Sequence, residues 1–269
     1  MNNLKKERKA QVTIFIIIGI AIVAAVLIFF LFATETGRRI NPIYSDEEFD
    51  SEEIMQKFEE CISENEIIED KKNSIMLQGG SAEPENHHRF MGRDIQYLCY
   101  TNRNYETCTM QFPFPLNSLR NEIQNSTKPE FDACVQQMVA NFENSGYEVN
   151  IAGESKYEVE FVPEKMRFNI EVPISVSKQG SATIVQNEIE IEKESGVYTL
   201  TMIASSILNY EARYGNANTG TYMLVYPNVG VEKRLRDDGT KIYTLEDRTT
   251  GEMFSFAVRS LVIPPGYNL

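Results

Sequence analysis

The residues of this 269-residue chain whose types could do chemistry are few: two histidines, four cysteines and a glycine pair followed by serine. His87 and His88 are adjacent and close to Glu83 and Glu85, and imidazole with carboxylate can ligate a transition metal. Neighbouring side chains of an extended segment point apart, however, and there is no third histidine, so the stretch reads as an exposed polar loop. Gly79-Gly80-Ser81 has the small residues of a phosphate-cradling loop but lacks the Lys-Ser/Thr that a P-loop requires. A serine or cysteine nucleophile would depend on one of the two histidines as its base. The acidic runs 46–53 and 188–194 lack the spacing of a calcium-binding loop and read as solvated faces. The expectation is a chain with no catalytic residue, no metal site and no cofactor.

The cysteines carry a different kind of chemistry. Cys61, Cys99, Cys108 and Cys134 form an even set, all beyond a long apolar run, and lack the C-x₂₋₄-C spacing of a zinc site. In an oxidising compartment such a set reads as two disulfides. Of the three pairings, Cys99–Cys108 would cross-link a hairpin. Cys61–Cys134 would staple two helices, since both cysteines sit on apolar stripes. Asn125-Ser126-Thr127 matches the N-x-[ST] glycosylation acceptor and is expected in an exposed turn.

The apolar run decides on which side of a membrane these groups work. Between Val12 and Ala33 there is no charged residue and the one polar side chain is Thr13. At about 1.5 Å per residue the run makes a helix of roughly 33 Å, long enough for a bilayer core of about 30 Å. It is longer than the apolar region of a cleaved secretory peptide, and its exit at Leu31-Phe32-Ala33 lacks a small-residue cut site. Lys5, Lys6, Arg8 and Lys9 precede it and Arg38 and Arg39 follow, so the short N-terminus is expected inside and the bulk of the chain outside. The segments are then a basic stretch (1–11), a transmembrane helix (12–33), a linker (34–45) and the body.

With the N-terminal segment set aside, 22 basic residues face 38 acidic ones, about −16. That balance argues against nucleic acid as a partner and against docking on anionic lipid. The body divides by period. Residues 46–146 are helix-rich. Ser45 and Glu48 have capping-box spacing for a helix reaching about Asp70, with Ile75-Met76-Leu77 either its continuation or a packing segment. A loop covers 78–92, strands are expected at Ile95–Thr101 and Tyr105–Phe112, and two helices at Leu116–Gln124 and from Pro129 to Gly146. Residues 147–269 alternate at period two through Tyr157–Phe161, Met166–Val172 and Ala182–Ile191, a meander with one buried face. Tyr198–Tyr214 reads as a covering helix, followed by strands at Thr221–Tyr226, Lys241–Leu245 and Phe254–Val262, with a turn at Asp237-Asp238-Gly239. The fold class is α+β, the two regions being either separate domains or one packed unit.

Lys9-Ala10-Gln11-Val12-Thr13, running directly into the apolar helix, resembles archaeal class III (prepilin-type) signal sequences. The resemblance implies a cut between Ala10 and Gln11 and retention of the helix as a filament spine. Many such sequences have glutamate where this chain has Phe15. Together with Gln11–Gly19, Glu59-Glu60-Cys61-Ile62 and Leu77-Gln78-Gly79-Gly80, the chain is similar to a group of archaeal single-span membrane proteins. That likeness implies topology and origin rather than an activity. The expected function is a non-enzymatic, membrane-anchored cell-surface protein with a structural, adhesion or assembly role. It would contact the bilayer through residues 12–33 and could self-associate through Gly19, Ala21, Ala24 and Ala25, as a pilin-like subunit does. The alternative is a tethered extracytoplasmic enzyme or ligand-binding domain.

Overall fold

A computed structural model describes residues 51–112, 115–178 and 183–263. The expected transmembrane helix at 12–33, the cut between Ala10 and Gln11, the linker and the Ser45 cap lie outside the described residues. Among the described residues no helix is long and apolar enough to cross a membrane. Asp50–Leu269 clusters as one compact unit, of class α+β.

The helix expected to run unbroken towards Asp70 is two helices, α1 (Ser51–Ser63) and α2 (Glu66–Leu77). Asn65 breaks it: its side-chain Oδ1 accepts from the backbone N–H of Ile67 at 3.1 Å and Ile68 at 3.3 Å, capping a new helix. Ile75-Met76-Leu77 continues α2, which closes at the glycine pair, the Gly80 N–H donating to Ile75 O at 2.9 Å. Gly79 is obligatory there. Its φ is +86°, and a Cβ would stand 2.9 Å from Gln96 Cβ and 3.2 Å from the Gln96 backbone.

After α2 come β1 (His87–Phe90), β2 (Arg93–Tyr100) and β3 (Thr109–Met110). The loop expected through residue 92 therefore ends in a strand. The strand expected at Tyr105–Phe112 shrinks to two residues, because its backbone is engaged elsewhere: Tyr105 N–H donates to Val262 O at 3.0 Å and Cys108 N–H to Ser260 Oγ at 3.0 Å. Cys99 and Cys108 are bonded across this β2–β3 hairpin.

One helix, α3 (Pro115–Asn144), replaces the two expected around Pro129. Leu119, Ile123, Thr127, Phe131, Val135, Met138 and Phe142 are buried at helical spacing straight through the proline. Interior proline costs about 3 kcal/mol. Burial of large apolar side chains at about 1.5–3 kcal/mol each on both sides outweighs it, and Pro129 itself lies on the exposed face. Cys134 of this helix is bonded to Cys61 of α1. Next to that bond Phe58, Phe131, Tyr157 and Phe168 stack in series, with ring centroids 6.4, 4.8 and 6.0 Å apart.

The second half holds β4 (Glu148–Ile151), β5 (Lys156–Val162), β6 (Lys165–Ser177), β7 (Ile184–Glu194), α4 (Val197–Tyr214), α5 (Thr219–Val225), β8 (Val229–Leu235), β9 (Thr240–Asp247) and β10 (Met253–Arg259). Among the described residues there are two sheets. β5, β6 and β7 form the expected antiparallel meander, with β4 also pairing β6. The other sheet has the order β1-β2-β10-β9-β8, with β3 on β2, and is mixed because β2 and β10 run parallel. It joins the early and late regions of the chain in one layer. α4 packs on strands of both sheets, burying Leu200, Ile203, Ala204, Ile207 and Leu208. The strand expected at Thr221–Tyr226 is instead α5, capped by Asn218 Oδ1 on Gly220 N–H at 3.0 Å.

The disulfides close loops of very different length, 73 and 9 residues apart in sequence. The chain-entropy relation gives about 4–4.5 kcal/mol for the longer and about 2.5–3 kcal/mol for the shorter. Replacing Cys61 and Cys134 together by alanine should lower urea stability by more than replacing Cys99 and Cys108, an order read directly from two denaturation curves.

Candidate functional site: two buried charge clusters and three clefts

Sequence spacing pointed to cysteines and histidines, and the structure locates each. All four cysteines are bonded in the two disulfides, Cys61, Cys99 and Cys108 buried and Cys134 half-buried. His87 and His88 sit on β1 and do face apart. His87 Nδ1 is 2.8 Å from Pro84 O and its Nε2 is 3.7 Å from Asp94. His88 Nδ1 is 3.6 Å from Asp238 and 3.4 Å from Tyr97 OH, on the side of the β8–β9 turn. No cluster of three or more metal-ligating side chains occurs among the described residues. Asn125 is exposed, but in the middle of α3 rather than in a turn. Its acceptor partner Thr127 is buried, donating to Ile123 O at 2.7 Å and lying 3.0 Å from Tyr157 OH. Burial pushes the Tyr157 phenol up to about 12, against the hydrogen bond from Thr127.

Sequence reading missed the ionised groups of the interior. At the N-terminus of α4, Glu252 is buried and accepts from Lys72 Nζ at 2.6 Å, Ser195 Oγ at 3.0 Å and Gly196 N–H at 2.5 Å. Lys72 also pairs with Glu69 at 2.6 Å, and Glu69 with Lys193 at 2.9 Å. At the other end of α4, fully buried Glu211 pairs with Lys241 at 2.6 Å, receives Ala217 N–H at 3.0 Å and takes a hydrogen bond from Tyr243 OH. Burial first, then the Glu211 charge, drives the Tyr243 phenol far above its ordinary value. Lys241 additionally donates to Gly215 O and to Ser260 O. Every charge in both clusters is met by several partners, which suits architecture: a base or nucleophile needs a lone pair left over for substrate.

Clefts with polar walls occur among the described residues, and three stand out. The largest, about 920 Å³, lies beside the β8–β9 turn and contains Lys233, Arg236 and Arg259. All three are engaged by the protein, Lys233 with Asn216 and Ala217 O, Arg259 with Thr101 O, and Arg236 over the Phe90 ring. A second, about 530 Å³, adjoins Ser195 and Asp247. The third, about 350 Å³, lies at the Gly79-Gly80 turn. Separately, α5 buries none of its residues. Leu224 is 83% exposed, and Tyr210, Tyr222, Val225 and Tyr226 line one shallow groove. No charged residue falls between Arg213 and Glu232.

Comparison with protein-family models, with curated proteins and with solved structures gives no match.

Two outcomes follow from the buried cluster at Lys72. Lys72→Met should cost about 3–5 kcal/mol by stranding Glu252, and Lys72→Met with Glu252→Gln should cost less than Lys72→Met alone, as read by urea denaturation. Burial alone would raise the Glu69 carboxyl, but Lys72 and Lys193 outweigh it and hold it below its ordinary value. A carboxyl lowered on folding contributes its full stabilisation above its unfolded pKa of about 4.3 and loses it as pH falls through the folded value. Glu69→Gln should therefore lose less stability than the parent chain between pH 6 and pH 3.

Proposed function

We propose that this is a non-enzymatic, membrane-anchored protein of the cell surface, with the short N-terminus inside, the body outside, and a role in surface structure, adhesion or assembly. The observation that carries the reading is the pairing of all four cysteines into two disulfides, downstream of a 22-residue uncharged run. Disulfides persist where the environment is oxidising, and the run has the length and flanking charge of an anchor. A working surface for assembly would be the exposed α5, which has no charged residue of its own, with the neighbouring Tyr210 and Tyr226. Aromatic and methionine enrichment with depleted charge is the composition of an interface core. In a pilin-like subunit the apolar N-terminal helix would supply the second contact, packing through Gly19, Ala21, Ala24 and Ala25.

Mass spectrometry of the intact chain from its native membrane, without reduction, tests the reading. Expected are a mass four hydrogens below the fully reduced chain and cross-linked peptides joining Cys61 to Cys134 and Cys99 to Cys108. A chain beginning at Gln11 favours the filament subunit; one retaining Lys5 to Lys9 favours a static anchor. Free thiols throughout would remove the extracytoplasmic placement. Leu224→Glu should leave folding within about 0.5 kcal/mol of the parent, as exposed substitutions do, while weakening association in the membrane extract.

A further inference from the structure

The cleft at the Gly79-Gly80 turn differs from the other two in having an unpaired polar atom in its wall. Gln96, from β2, is 7% exposed, and its Oε1 is the one buried side-chain polar atom without a hydrogen-bond partner among the described residues. A buried acceptor left empty costs about 1–3 kcal/mol, so the position is poised for a donor from outside the chain. Glu83, Glu85 and Glu122 also line the cleft, and among the described residues no lysine or arginine does. Apart from Ser81 and Ser118 the remaining wall is apolar, with Leu98, Leu119 and Phe254 each at most 2% exposed. The C-terminal end of α2, the negative end of its dipole, adjoins the cleft at the same turn.

The walls are held in place by the protein's own bonds. Gln78 Nε2 donates to Ser81 O at 3.3 Å and Ala82 O at 3.1 Å, and Ala82 N–H donates to Glu122 Oε1 at 2.8 Å. Gln96 N–H donates to Gln78 O at 3.0 Å, and the side-chain-free Gly79 lets the two backbones meet. The glycine pair thus brings β2 against the end of α2 and opens the space beside it.

We infer that this cleft binds a primary alkylammonium group, its N–H donors shared between Gln96 Oε1 and the Glu122 carboxylate, with Glu83 and Glu85 adding negative potential and its hydrocarbon stem lying on Leu119 and Phe254. The inference goes beyond the surface role proposed above and does not depend on it. A divalent metal fits less well, because the carboxylates do not converge on one coordination centre. An anion is refused by three carboxylates. A neutral alcohol could use the amide oxygen but leaves the glutamates unanswered. The volume of about 350 Å³ suits a small amine or the end of a longer one.

Isothermal titration calorimetry of the full-length chain with n-butylammonium chloride tests this, with n-butanol at equal concentration as the neutral control. Saturable binding of the ammonium and no saturable binding of the alcohol is the expected result. Glu122→Gln, which keeps the Oε1 acceptor for Ala82 N–H, should weaken binding at least 10-fold with an unchanged melting temperature. Gln96→Met, close in volume, should also weaken binding at least 10-fold while folding is retained. Spermidine and Nα-acetyl-lysine amide, run in parallel, tell a free polyamine from a lysine side chain as the source of the group. The proposal is overturned by heats no greater than dilution up to 20 mM amine with a folded chain. Equal binding of butanol, parental affinity in both variants, or displacement of the amine by 1 mM calcium at constant ionic strength would overturn it too.

Discussion

Both sheets depend on a helix held at its two ends by buried carboxylates. Glu252 sits at the first turn of α4 and Glu211 in its last, and each is matched to a buried lysine from a different part of the chain. Lys72 and Glu252 are 180 residues apart in sequence. A buried charge whose partner is missing costs several kcal/mol, whereas a complete pair contributes little net stability against an apolar substitute. The consequence is positional. If α2, the β7–α4 junction or the β9–β10 turn docks in the wrong register, a charge is stranded, and few alternative packings survive that penalty. Since α4 packs on strands of both sheets, fixing its ends fixes their relation to one another within the unit.

The parts of this architecture that were legible in the sequence are those where side-chain period and burial agree. The alternation through Tyr157–Phe161 and Met166–Val172 is the buried pattern of β5 and β6, and the helical spacing of Val197–Tyr214 is that of α4. The disulfide partners were legible for a related reason, because Cys61 lies in, and Cys134 beside, a buried apolar stripe of its helix. Errors occurred where a local signal was real but outweighed. Pro129 is a good helix start, yet the stripe of α3 runs through it in phase. Thr221–Tyr226 has the β-branched and aromatic residues of a strand, yet none of α5 is buried, so burial could not impose that period and the Asn218 cap prevailed. β8, with its Lys233-Arg234 and open glycine, offers almost no apolar alternation to read.

The candidate sites were less legible, and the reason is pairing at a distance. Lys72 follows Glu69 and Lys71 on α2 and looks like any solvated helix face; only the fold brings Glu252 to it. Gln96 stands in Ile95-Gln96-Tyr97-Leu98, where a polar residue interrupts a continuous buried run. That interruption was a signal, but its meaning depends on the Gly79-Gly80 turn packing against β2. The glycine pair by itself has the look of a phosphate loop, a ligand charge that its acidic surroundings oppose.

The acidity of the body bears on how it could assemble. Copies of about −16 repel one another, and at an ionic strength of about 0.15 M that repulsion is screened beyond roughly 8 Å. Close approach is therefore least costly where no carboxylate lies within that distance of the contact. The α5 segment carries no charge of its own from Tyr214 to Val231, and the carboxylates of Glu164, Glu194 and Asp247 meet it across the cleft at Val225 and Tyr226. Its apolar side chains would gain from burial, while the net negative charge of the remainder opposes contact elsewhere. Under the proposed surface role, charge and apolar exposure then act together: the first suppresses indiscriminate association and the second confines it to one patch. Such an arrangement strengthens as salt rises, because screening relieves the repulsion and leaves the apolar term intact.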